Sequence, residues 1–407
     1  MRVLVVADEH PWPPTSGYRQ RLARVVGTLG SHHDVDVLVV RHDGRPAPPP
    51  PHDLALGRVG TVQAPGHPGS AARRAWRWWL SDHPRSLSRH DWTPARSELA
   101  TWATESYDAV WWSHATTYLR LGDLVDLPAV VDLDNLESEV LRHRRESRRR
   151  AKARGARDRA RRAARMAADT LDERRWRRAE QAVRDRVEVV AVCSDLDRER
   201  LGGANVVVVE NGYERPDEPA EAADHRSAPV VLMVGLLTYE PNLDAATYFA
   251  REVLPLLRRH VPGAVFRVVG RFDHEWQVAT LRGLEGVELT GEVPDLGEEL
   301  RAATLSVVPV RFGGGTRIKI LEAFAYGVPV VSTTVGAEGL EVEPGTHLLV
   351  ADAPEDLAAS CARLVGDLAL RRALAAAGRR LWHARYRSDL VAPTISAALE
   401  RAVADAG

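Results

Sequence analysis

Short β-branched apolar runs recur along the chain at Val3–Val6, Val35–Val40, Ala109–Trp112, Ala129–Val131, Val187–Val192 and Val206–Val209, with helical stretches between several of them. Continuous apolar strands separated by helices bury both of their faces, the pattern of a parallel sheet covered by helices on two sides. A polar break from Arg215-Pro216-Asp217-Glu218-Pro219 through Ser227-Ala228-Pro229 interrupts this. The pattern restarts with Val230–Val234, Val265–Val269, Val287–Thr290, Leu305–Pro309, Val328–Ser332 and His347–Val350. The chain therefore reads as α/β, two doubly wound Rossmann-like domains joined near residues 213–228. A cleft between them is expected, with the carboxyl ends of both sheets turned toward a ligand.

The composition agrees with two cores. With 407 residues, 44% of them apolar and 27% charged, the chain is neither disordered nor one small stapled domain. Lys and Arg total 55 against 56 Asp and Glu, so whole-chain charge selects no polyanionic partner, no nucleic acid is expected, and any charge-based function is local. Cys193 and Cys361 lie far apart and neither belongs to a C-x-x-C pair, which removes support for a disulfide framework or zinc knuckle and suits a reducing cytoplasm. The apolar stretch Val3–Ala7 is too short for a signal sequence, and no apolar run approaches the roughly 20 residues of a membrane span; a soluble, unexported protein is expected.

Two segments depart from the average. Pro48–Pro51, preceded by Pro46-Ala47, reads as an exposed loop or rigid spacer. Residues 142–186 are dominated by arginine with alanine interleaved and read as a long helix or helical hairpin. That basic stretch is either a solvated face balanced by acids elsewhere in the fold or a surface for an acidic partner, such as an anionic membrane.

The stretch richest in chemistry is Arg311-Phe312-Gly313-Gly314-Gly315-Thr316-Arg317-Ile318-Lys319-Ile320-Leu321-Glu322, directly after the strand at Leu305–Val310. Glycines at a strand-to-helix turn let the backbone approach a ligand, and the N–H groups of the following helix start form an anion site. Arg317 and Lys319 add positive charge, and such a nest with two cations neutralises a diphosphate without a metal. Glu322, further along the helix, can accept hydrogen bonds from paired hydroxyls such as those of a ribose. Taken alone, the residues fit a nucleotide-diphosphate site and an ordinary glycine-rich turn equally well. The Walker pattern G-x-x-x-x-G-K-[ST] is absent.

Gly313 through Ala337, GGGTRIKILEAFAYGVPVVSTTVGA, together with GLLTYEPNLDAATYF at 235–249 and VENGYE at 209–214, resembles the donor-binding domain of GT-B glycosyltransferases of the retaining family 4, or group 1. The likeness extends over nearly the whole chain. It implies an acceptor-side domain over residues 1–213, a nucleotide-sugar domain over 214–383, and a C-terminal helix at about 384–407 returning to the first domain. The loop Pro11-Trp12-Pro13-Pro14-Thr15-Ser16-Gly17-Tyr18-Arg19-Gln20-Arg21 looks like the one such enzymes place against donor phosphate and acceptor. Gly17 thereby falls to the donor and Arg19 to the acceptor.

The resemblance is uneven. In the family's E-x7-E pattern the second glutamate matches Glu322, but the first position is Gly314, and the usual Arg and Lys after the first strand of the domain fall at Leu236 and Pro241. Arg317 and Lys319 are expected to take over the diphosphate, with Gly314, Gly315 and Thr316 beside it and Arg271 on the base or phosphate side. His114, closing the strand Ala109–Trp112, resembles the family histidine that approaches the transferred sugar. Asp132, Asp134 and Asn135 follow the next strand, where they either orient an acceptor hydroxyl or cap the basic helix. Ser194 is expected to cap the helix after Cys193.

The function implied is transfer of a sugar from a nucleoside diphosphate sugar to an acceptor hydroxyl or amine with retention, in natural-product or glycoconjugate biosynthesis. Neither metal nor cofactor is expected. The acceptor is a soluble small molecule or a lipid-linked glycan. The competing readings are a GT-B scaffold that has lost catalysis and binds a partner or anionic surface, and a nucleotide-sugar epimerase or hydrolase.

Overall fold

The computed structural model describes residues 1–44, 48–51, 54–68, 70–150, 155–215 and 228–407. Most of the polar break between the two sequence patterns, residues 216–227, and residues 45–47 and 151–154 lie outside the described residues. The chain forms two compact units, Met1–Glu210 with Val391–Gly407, and Asn211–Leu390.

In the first unit the strands are β1 (Arg2–Ala7), β2 (Asp34–Arg41), β3 (Val59–Gln63), β4 (Ala109–Ser113), β5 (Ala129–Leu133), β6 (Val189–Val192) and β7 (Val206–Val208). They form one sheet in the order β3-β2-β1-β4-β5-β6-β7, every pairing parallel. Successive side chains of a strand point to opposite faces, so each apolar run feeds two cores. Leu4 and Val6 join Leu38, Val40, Val110 and Trp112 on one face. Val3 and Val5 join Val35, Val37, Val39 and Trp111 on the other. The second face is completed by the helix Ser388–Ala406, which buries Ile395, Ala398, Leu399 and Ala402 at helical spacing. The C-terminal helix thus returns to the first unit.

The sequence pattern did not reveal β3, because VGTVQ is an edge strand with half-buried positions and no continuous apolar run. Its glycine is a packing residue, since a Cβ at Gly60 would collide with the Trp102 ring. The arginine-rich stretch is a hairpin of the helices Glu137–Arg150 and Ala156–Arg184. The acids that balance it come partly from the hairpin itself: Glu173 is 2.9 Å from Arg145 and 3.1 Å from Arg177, and Asp169 pairs with Arg148. The Pro48 carbonyl accepts a hydrogen bond from Trp12 Nε1 at 3.1 Å, while Pro49 and Pro50 are exposed.

The second unit has the strands β8 (Val230–Val234), β9 (Val265–Val269), β10 (Val287–Gly291), β11 (Leu305–Val308), β12 (Val330–Ser332) and β13 (Leu349–Val350). Their order is β10-β9-β8-β11-β12-β13, again parallel. Both sheets match the doubly wound α/β architecture expected from the sequence. In each, the order reverses once, between β1 and β4 and between β8 and β11, and ligands of such sheets bind outside the strand carboxyl ends at that reversal.

Candidate active site

At the carboxyl edge of the second unit, β8 runs into Gly235, β9 into Gly270-Arg271 and β11 into the glycine turn before the helix Ile318–Ala325. The first two loops touch: Gly235 N donates to Val269 O at 2.9 Å, and a Cβ at Gly270 would collide with the Gly235 carbonyl. Gly315 has φ +63°, a left-handed conformation that suits glycine and turns the chain into the helix.

Over this edge stand the cations. Lys319 Nζ donates to Asn242 Oδ1 at 2.7 Å, and Asn242 Nδ2 donates to Leu236 O at 3.0 Å. A Cβ at Gly235 would lie 2.8 Å from Lys319 Nζ, so the glycine makes room for the ammonium. Burial pulls the Lys319 pKa down to about 8, the neighbouring Arg317 pulls the same way, and Glu322 opposes them. Arg317, at the N-terminus of the helix, folds its guanidinium back onto the carbonyls of Gly314 and Gly315. Glu322 is buried one turn further along, close enough to Tyr213 for its charge to add to burial in raising the Tyr213 pKa. Thr316 is buried too, its hydroxyl accepting from Asn211 Nδ2 at 2.8 Å. Arg271 is 3.6 Å from Asp273, and its Nε is buried with no hydrogen-bond partner among the described residues. Arg311, in the same sequence stretch, is committed to Asp244 through two hydrogen bonds of 2.9 and 2.7 Å. The structure therefore gathers Gly314, Gly315, Thr316, Arg317, Lys319, Glu322 and Arg271 around one edge of three adjacent strands. At Gly314 there is no carboxylate.

At the carboxyl edge of the first unit, the register pairs Val6 of β1 with Trp112 of β4, which carries Asp8 and His114 to the same level beyond the strands. His114 lies between two carboxylates. Its Nδ1 is 2.8 Å from Asp8 Oδ2 and its Nε2 is 2.9 Å from Asp134 Oδ1, while the Tyr18 ring stacks on it at 4.0 Å. Tyr18 donates its hydroxyl to the other Asp8 oxygen at 2.7 Å and lies 2.9 Å from Ser113 Oγ. Burial pulls the His114 pKa down, but Asp134 and Asp8 outweigh it and hold the imidazole well above its ordinary value. The same pairing overcomes burial at Asp8 and lowers its pKa. Both ring nitrogens thus face a carboxylate oxygen within hydrogen-bond distance, a setting that favours the protonated ring.

His114 has φ +74°, an unfavourable backbone for a bulky side chain. Its N–H···O bond to Asp132 at 3.0 Å and the flanking carboxylates over-determine that conformation, as is common where a side chain is aimed for function. Asp132 is not in the cluster. Its carboxylate takes two bonds from Arg21 Nε, at 3.1 and 2.9 Å, and one from Nη2 at 2.6 Å, with both side chains 3% exposed, and Arg21 Nη1 donates to Val209 O. That pair ties β5 to the helix Gly17–Gly30 and leaves Asp132 no face toward a ligand. Asn135 donates to Glu137 Oε1 at 2.8 Å, beside the start of the basic helix, and Arg19 pairs with Glu9 at 2.8 Å. Gly17 opens its helix behind the Ser16 cap, and Ser194 caps the helix after Cys193 as expected. Asp8 and Tyr18 were missed; Asp8 ends a central strand just as His114 does, and that placement was its only signal.

Residues 228–367 match the family described as Glycosyl transferases group 1. A stretch of 159 residues is 33% identical to the exopolysaccharide phosphotransferase SCO2592 of Streptomyces coelicolor, covering 35% of this chain and 15% of that much longer protein. Among solved structures, sucrose-phosphate synthase from Thermosynechococcus elongatus aligns over 100% of both chains with a TM-score of 0.68 at 17% identity. Alr3699/HepE of Anabaena, solved with UDP and glucose, aligns over 98% of this chain and 99% of its own at 0.64 and 14%. WaaG, a glycosyltransferase involved in lipopolysaccharide biosynthesis, aligns over 97% and 99% at 0.61 and 15%. At such identities these structures speak for the fold, and the matched segment speaks for the family. The glycine turn and its cations lie inside the segment that matches the group 1 glycosyltransferases, and the chain as a whole shares the fold of these solved structures.

Proposed function

We propose that this protein transfers a sugar from a nucleoside diphosphate sugar to an acceptor hydroxyl or amine, with retention at the anomeric carbon, in the cytoplasm and in the service of natural-product or glycoconjugate biosynthesis. The observation that carries the reading is the grouping of Arg317, Lys319 and Glu322 with the glycine turn at the strand reversal of the second unit. Glu322 binds the ribose hydroxyls, and Arg271 contacts the phosphate or base. As the bond between the anomeric carbon and the phosphate oxygen breaks, negative charge builds on the departing diphosphate, and Lys319 and Arg317 neutralise it without a metal. The acceptor oxygen or nitrogen forms the new bond on the same face and gives its proton to the departing phosphate oxygen. In the first unit, the carboxylates that flank His114 accept a hydrogen bond from an acceptor or sugar hydroxyl and hold it in place.

UDP is the first nucleotide to test, since the HepE structures were solved with UDP and UDP-glucose. A melting-temperature panel of UDP, GDP, dTDP and ADP with their common sugar conjugates, with magnesium and with EDTA, tests the donor site. A ligand at about 100 times its Kd adds roughly 2.7 kcal/mol to stability. Stabilisation by one nucleotide in EDTA supports the reading. One specific observation favours a second reading, a scaffold without turnover: Gly314 stands where the family places a carboxylate. A protein that no nucleotide stabilises is that scaffold. Epimerisation or hydrolysis is recognised by turnover of a sugar nucleotide without any acceptor.

A further inference from the structure

The helix Ala71–Trp79 carries a surface that the proposed reaction does not use. At roughly 100° per residue, Ala72, Trp76, Trp79 and the following Leu80 fall in one stripe, Arg73 and Arg77 border it, and Trp78 lies on the opposite side. Burial follows that division: Trp78 is 4% exposed, whereas Trp76, Trp79 and Leu80 are 65%, 57% and 64% exposed. A contiguous stripe of two indoles and a leucine in water is the mark of an interaction surface.

The stripe is held outward by its anchor. Arg175, from the longer helix of the arginine-rich hairpin, donates to the Trp78 and Trp79 carbonyls at 2.9 and 3.2 Å. Its guanidinium and that of Arg85 lie 5.1 and 4.4 Å from the Trp78 ring centroid. The surroundings are strongly basic: between Ser70 and Arg89, Asp82 is the one acid among five arginines, and Arg174 and Arg178, next to the anchoring Arg175, are exposed.

We propose that this face seats the first unit on an anionic lipid bilayer, with Trp76, Trp79 and Leu80 at the boundary between headgroups and acyl chains and Arg73 and Arg77 on lipid phosphates. Indole rings favour that boundary, and basic side chains beside an apolar stripe add attraction to anionic headgroups. A bilayer supplies both an apolar layer and a continuous negative charge, which is what a stripe bordered by arginines complements. The proposal draws on no feature of the donor site, and its test contains no sugar nucleotide, so either reading can fail without the other.

The full chain is sedimented with vesicles of phosphatidylcholine alone or with about 30% phosphatidylglycerol, at about 0.1 M salt where the Debye length is near 10 Å. Binding to the anionic vesicles is expected, weakening as salt rises, with quenching of tryptophan emission by brominated lipid. R73Q/R77Q lowers the partition coefficient about 25-fold, at about fivefold per arginine. W76S/W79S lowers it on the order of tenfold or more and removes the quenching, with an unchanged melting temperature because both side chains are exposed. Absence of binding to anionic vesicles overturns the proposal, as does a W76S/W79S protein that binds like the parent. Self-association abolished by W76S/W79S, without vesicle binding, overturns it in favour of a second copy of the chain.

Discussion

Substituting Asp8→Asn should move the titration of His114 while leaving the shape of the site intact. Asn keeps the size of Asp and one accepting oxygen, removes the charge 2.8 Å from Nδ1, and puts an NH2 group in place of one of the two oxygens that Tyr18 and His114 share. Two unit charges about 4 Å apart at an effective dielectric of 20 interact by about 4 kcal/mol. His114 is 26% exposed, so solvent screens part of the interaction, and the titration of His114 is expected to move down in pH. Nitrogen-15 NMR of the histidine rings across a pH series reads it directly, with H114Q assigning the resonance. The wild-type ring should stay protonated well above the ordinary histidine range because Asp134 and Asp8 overcome its burial. Linkage fixes the sign of the stability change. The raised His114 pKa contributes stability that is complete below the unfolded histidine pKa and lost as pH rises through the folded value. The lowered Asp8 pKa contributes stability that is complete above the unfolded aspartate value and lost as pH falls through the folded one. D8N should therefore be less stable than wild type at neutral pH and lose less stability on alkaline titration. A His114 resonance that titrates in D8N where it does in wild type would refute the reasoning.

Three further outcomes follow from the geometry. Glu322→Gln should weaken nucleotide binding about tenfold, the loss of roughly one charge-assisted hydrogen bond, and calorimetric titration that finds wild-type affinity removes Glu322 from the ribose. Because free Lys319 titrates near pH 8, diphosphate binding at that pH should take up a proton; calorimetry in buffers of different ionisation enthalpy measures the uptake, which K319M should abolish. Arg21→Met leaves the buried Asp132 charge unpaired and should cost about 3–5 kcal/mol in urea unfolding, whereas R21M/D132L should recover most of it. A single variant as stable as the parent would mean that water already reaches the pair.

The glycine turn and its cations were legible because everything that forms them is local. Strand, glycines, Arg317, Lys319 and Glu322 fall within one continuous stretch, and a strand-to-helix turn needs no partner from elsewhere in the chain. The hairpin was legible for the same reason, its length and alanine content being helical and its acids sitting at i+4 or across the turn. Asp132 and Asp134 show where such reading stops. Both close the same strand and both are aspartates, yet one is sealed against Arg21 and the other meets His114.

By itself the sequence determined two parallel sheets, the break between them and the glycine turn before Ile318, because β-branched runs, polar interruptions and glycines act on the backbone around them. Tertiary structure decided which groups meet across strands. Asp8, His114 and Asp134 lie far apart in the chain and converge only because β1, β4 and β5 are neighbours in this register. Lys319 is oriented by Asn242, and the buried Trp78 ring lies under Arg175 and Arg85 from other parts of the chain. Strand order and register are set by the burial of whole faces, a property of the assembled sheet, and the pairing of charges at its edge follows from that assembly.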